Sequence, residues 1–186
     1  LTGVEIAVQK RLRHHRASLV ARPPAGLAAR IDLRADVVLS REGSRWSARG
    51  EAYGESLNAD LARLREHLPV PETLRSGVGS LRVWMQFTTD RVTEVVADLH
   101  MRDARAQLAA DALPLELAAL SGRATYRVKP AGFTFATEGL RFGLASGAEA
   151  QAGDFSLERT DESGKPARTQ VRADGIDLKI AATLLD

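Results

Sequence analysis

The chain has 186 residues, enough for one sizeable domain, and its 44% apolar content with only 5% aromatics predicts a core built from Leu, Val and Ala. Charge is abundant but balanced: 26 basic and 24 acidic residues leave +2, and the arginines are scattered along outward strand positions, which argues against a nucleic-acid partner. Cysteine is absent, which excludes disulfides, iron–sulfur clusters and thiolate zinc sites, and no run approaches the ~18 apolar residues that span a bilayer.

The opening, LTGVEIAVQK, has neither an initiator Met nor a signal-peptide pattern and reads as the interior of a longer chain. Period-two alternation starts at once, with Val4, Ile6 and Val8 on one side of a strand over 4–9. A second strand over 16–24 ends at Pro23-Pro24, and a third over 29–39 puts Ile31, Leu33, Ala35 and Val37 together. A fourth covers 44–53, with Gly50 marking a bend or bulge. Strands over 79–89 and 92–102 form a hairpin around Thr89-Asp90-Arg91, and further strands follow over 122–129, 132–138, 140–146, 153–160 and 167–174. Residues 129–132 and 161–166 carry turn chemistry.

Three stretches change period and predict short helices. Leu57, Leu61, Leu64 and Leu68 follow helical spacing, with Asn58 as N-cap and Pro69 as the stop. Leu113, Leu117 and Leu120 do the same before Gly122, and Ile176, Ile180 and Leu184 repeat the pattern near the end. Each helix holds an acid-Leu pair (60–61, 116–117, 177–178), so the chain reads as one elongated unit over 1–186 with repeats of about 1–68, 69–121 and 122–186. Capping by the acid accounts for the pair equally well. The predicted fold is mainly β: a curved, groove-like antiparallel sheet with two or three short helices, too few to cover the apolar faces of so many strands.

No catalytic constellation is present, so an enzyme is not expected, and no cofactor is implied. Ser40, Ser44, Ser47 and Ser121 lie in no nucleophile elbow, and Gly77-Val78-Gly79 precedes a strand instead of opening a helix as a phosphate loop would. His14 and His15 point to opposite faces of a strand, with no third ligand near in sequence, so no metal site is expected. His100 shares a polar parity with Asp98 and Arg102 and reads as exposed.

What remains is the apolar parity itself. Leu81, Val83, Met85 and Phe87 share one face of their strand, and Val95, Ala97, Leu99 and Met101 share one face of the next. Phe133 and Phe135, then Leu140, Phe142 and Leu144, continue the alternation. Two uses fit these residues: packing in an ordinary closed core, or an open surface that takes acyl chains at about 0.8 kcal/mol per buried methylene. Trp84 stands on the opposite parity and is expected to cover the outer side of the sheet, beneath the first helix.

The order of motifs from residue 57 to 128 resembles the YhdP family of AsmA-like bacterial envelope proteins: an acid-Leu helix ending in Leu-Pro, Gly-x-Gly-x-Leu-Arg-x-Trp (77–84), Asp-Arg-Val-Thr (90–93) and Leu-x-x-Leu-x-Gly-Arg (117–123). The resemblance covers about 29–186 and extends more loosely to the start. It implies the periplasmic portion of a protein anchored in the inner membrane, the anchor lying outside this chain. It further implies a hydrophobic groove moving phospholipid towards the outer membrane, whose partners are acyl chains, the rest of the same protein and other envelope proteins. The thirteen residues of the apolar parity are then the lipid-binding set. The alternative is a non-catalytic structural or interaction β-domain of the envelope with a closed core.

Overall fold

The computed structural model describes residues 2–66, 74–107, 115–144, 149–151, 154–161, 164 and 166–174. In chain order its elements are β1 (Thr2–Arg11), β2 (His14–Arg22), β3 (Arg30–Glu42), β4 (Arg45–Asp60), α1 (Leu61–Leu64), β5 (Leu74–Thr88), β6 (Val92–Ala106), β7 (Leu115–Lys129), β8 (Gly132–Leu144), β9 (Glu149–Gln151), β10 (Phe155–Thr160) and β11 (Arg168–Ala173). The strands form a single antiparallel meander in which each pairs with the next, except that β8 pairs with both β9 and β10. The sheet is open and curled, as period-two patterning with short connections requires. The 89–91 hairpin forms as expected, closed by the Thr88 amide donating to the Arg91 carbonyl at 2.8 Å.

The helix expectations fare differently from the strands. Among the described residues of the first, only Leu61–Leu64 is helical, Leu68 lying outside them; β4 runs on to Asp60, and Asp60, not Asn58, is the N-cap, its carboxylate accepting from the Ala62 and Arg63 amides at 3.0 and 3.4 Å. Asn58 instead holds a φ of 49° at a bulge in β4. The second predicted helix is wrong: residues 115–129 are one strand, while Leu113 falls outside the described residues. Its spacing misled for a physical reason. A register shift between Leu117 and Ala119 inserts an extra residue, so Leu117 and Leu120 reach the same cluster three positions apart. The third predicted helix and Pro69 lie outside the described residues. The strands predicted over 132–138 and 140–146 are one strand, β8, with Gly139 between them.

These irregularities align. Asn58 in β4, Gly77 in β5, Asp103 in β6, Gly122 in β7 and Gly139 in β8 all have positive φ and lie towards the same end of the sheet. A line of bulges across five neighbouring strands creases the sheet there and re-aims the side chains beyond it. The crease builds the most buried cluster in the molecule: Leu61 and Leu64 of α1 with Ala28, Ala59, Met101, Ala104, Leu117 and Leu144. The β2–β3 connection closes over it, the Leu27 carbonyl accepting from the Asp60 amide and the Ala29 amide donating to the Leu57 carbonyl.

Candidate functional site

The ladder registers show what the alternation assembles. Val8, Ala17, Ala35, Ala52, Met85, Val95, Tyr126, Phe135, Leu157 and Val171 stand side by side, one from each main strand, in an unbroken apolar row. At about 4.8 Å per strand spacing, the row is ~43 Å long. A second row runs beside it through Ile6, Leu19, Leu33, Gly54, Val83, Ala97, Ala124, Thr137, Phe155 and Ala173. Its one hydroxyl is satisfied, since the Thr137 Oγ1 accepts from the Phe155 amide at 3.2 Å.

Between Ala48 and Ser56 the apolar face of β4 carries only small residues, Ala48, Gly50, Ala52, Gly54 and Ser56, with the exposed Trp46 before them. Neighbouring side chains fill the space: a Cβ on Gly50 would lie 3.0 Å from the Phe87 ring and one on Gly54 3.3 Å from Leu33. A strand without bulk between two strands with bulk thus cedes the space above it to its neighbours' side chains.

All thirteen residues of the expected set lie on this face, but in two environments. Leu81, Val83, Met85, Phe87, Val95, Ala97, Phe133 and Phe135 are half-buried, and the extensive packing among described elements is between sheet neighbours or with α1. Among the described residues no second layer covers them. Met101 and Leu144 are instead buried to 6% and 7% exposure in the α1 cluster, with Leu99 and Phe142 packed against it. Leu140 is half-buried next to Gly122, close to the cluster. The switch of parity between Phe133/Phe135 and Leu140/Phe142/Leu144 is made at Gly139, whose φ of 59° and extra residue in the ladder return the even positions to the same face.

The opposite face is a lattice of ion pairs that sequence reading resolved only as scattered arginines. Asp32, Glu55, Arg82, Asp98, Arg123 and Glu138 form one cross-strand row. Within it Arg82 donates to Glu55 and Arg123 to Asp98, each at 2.6 Å. The Arg123 hydrogen bond holds the Asp98 carboxyl below its usual range, and those from Arg16 and Lys129 do the same for Asp36 and Glu158. Asp32 is buried under Arg30 and Arg34. Trp84 is on this charged face, but its neighbour is Tyr53, with ring centroids 5.5 Å apart, and not the helix, which packs on the apolar side. The two rings stand in an open trough of about 720 Å³ that reaches from β1 to β6.

Among the described residues no three His, Asp or Glu side chains converge as a metal site would need; His14 approaches only Asp36, at 3.8 Å. None of the described helices is long and apolar enough to cross a membrane. Among the described residues the chain is a one-layer sheet with an apolar row on every main strand, backed by a charged face. The family model described as YhdP protein matches residues 1–186. This chain belongs to the YhdP family. Membership places it with the AsmA-like envelope proteins, as the motif order from 57 to 128 implied. No curated protein and no solved structure matches the chain.

Proposed function

We propose that this segment of a YhdP-family protein holds phospholipid acyl chains along its apolar rows and contributes to their passage across the periplasm towards the outer membrane. The observation that carries the reading is the row from Val8 to Val171, apolar on every main strand and, among the described residues, uncovered through its middle. A closed core would need a second layer over that surface, and acyl chains supply the same burial without fixed geometry. On this reading Val83, Met85, Phe87, Val95, Ala97, Phe133 and Phe135 touch lipid directly. Met101, Leu144 and Phe142 form the lip of the surface under α1 and touch it only at their margin. Passage needs no catalytic group, because sliding along a uniform apolar row changes little burial from one strand to the next.

The test is photo-crosslinking in cells with the full-length protein, the probe replacing Met85 or Phe87, and Gln86 or Arg141 as controls on the charged side. Phospholipid adducts at Met85 and Phe87 but not at the controls are expected. Adducts to protein alone at Met85 and Phe87 would mean that another polypeptide closes the face, which is the interaction-module alternative.

A further inference from the structure

The charged face has one feature that the ion-pair lattice does not explain. Tyr53 and Trp84 stand directly opposite each other on β4 and β5, yet Trp84 keeps 38% of its surface exposed, unusual for so large a ring in the middle of a sheet. The Tyr53 ring already carries a cation, the Arg34 guanidinium 5.7 Å from its centroid. Among the described residues no cation lies over Trp84, although indole offers the strongest cation–π face.

The adjoining row runs Arg16, Asp36, Glu51, Gln86, Glu94 and Arg127. Its outer acids are neutralised, Asp36 by Arg16 and Glu94 by Arg127, each at 2.6 Å. Glu51 in the centre has no ion-pair partner among the described residues and stands directly opposite Asp36, whose own charge Arg16 already answers. The trough thus places an uncovered indole, an uncompensated carboxylate and the Gln86 amide side by side in a cavity of about 720 Å³. That volume suits several side chains and not a lone ion. From β1 to β6 it spans five strand spacings, ~24 Å, or about seven residues of extended chain.

We propose that this trough docks a short, extended, basic segment of a partner protein, with a Lys or Arg side chain seated on Trp84 and paired with Glu51. The site is on the face opposite the lipid rows and is independent of the lipid reading. Docking on this face leaves the apolar surface free, so a partner held here and a lipid held there do not compete.

The test uses the full chain carrying Trp46→Phe, so that Trp84 is the sole indole, and a tryptophan-free octapeptide of alternating Ala and Lys. Saturable change in Trp84 emission is expected, about tenfold weaker in Glu51→Gln, the worth of one charge-assisted contact. Glu51→Lys should reverse the preference towards the matching Ala-Glu peptide, with circular dichroism confirming that each variant is folded. The proposal is overturned if the basic peptide leaves Trp84 unchanged, if Glu51→Gln binds as well as the parent, or if the acidic peptide binds the parent equally. Equal affinity for choline would likewise overturn it, by assigning the site to a quaternary ammonium headgroup instead of a peptide.

Discussion

The two ends of the apolar face are made of the same residue types and serve opposite ends. Around Met85 and Val95 the side chains are half-buried and, among the described residues, no layer lies above them. Beyond the crease, Leu61, Leu64, Met101, Ala104, Leu117 and Leu144 are each under 8% exposed. Bulges make the difference: they turn extra side chains inward and let a one-turn helix seat on them. The closed end anchors the sheet, while the open middle stays available because nothing in the described fold competes for it.

The sharpest way to break this comparison is one charge at each end. Leu117→Asp should abolish cooperative folding, at a cost above about 4 kcal/mol, because the carboxylate is buried without a partner. Phe87→Asp should cost no more than about 1.5 kcal/mol while removing lipid adducts at neighbouring positions. Urea denaturation of both variants decides the matter, and equal losses would mean that the middle is as closed as the end.

Gly139→Ala tests whether the bulge sets the phase of β8. Nothing lies within 4 Å of a Cβ there, so the expected loss, about 1 kcal/mol, comes from backbone strain at φ 59° alone. A similar gain is expected from Ser56→Ala, about 1 kcal/mol in the stabilising direction. The Ser56 hydroxyl is buried between Ile31 and Leu81 without a hydrogen-bond partner, and methyl removes that penalty. Thermal melts read both, and a destabilised Ser56→Ala would show that its hydroxyl has a use.

The smallest effect belongs to the charged face. Asp36, Asp98 and Glu158 have folded-state pKa values below their ordinary 3.8, 3.8 and 4.5. Their contribution is therefore fully present above about pH 5 and lost as pH falls through the depressed values. Denaturation midpoints should stay flat from pH 7 to 5 and decline below 4, and Arg123→Ala should flatten that decline slightly, since solvent screens an exposed pair. An unchanged decline would remove Asp98 from the account.

Much of the open middle was legible in residue order. Val83, Met85 and Phe87 against Arg82, Trp84 and Gln86 fix two faces whatever the partner strands are, because neighbouring side chains on an extended backbone must point apart. The closed end was not legible. Leu117 and Leu120 read as helical because a bulge converts period two into period three, and a one-dimensional pattern cannot tell an extra strand residue from a turn of helix. Trp84 was assigned correctly to the outer side but to the wrong neighbour, since only the β4–β5 register brings Tyr53 beside it.

The sequence by itself determined the β class, the antiparallel meander, the apolar parity and, through motif order, the family. Those depend on neighbours along the chain: alternation, turn chemistry and short connections. Only the tertiary structure decided that the parities join into unbroken rows, that scattered arginines become a lattice, and that α1 closes one end while the middle stays open. Those depend on register, and register is set by bulges and cross-strand packing among residues far apart in sequence.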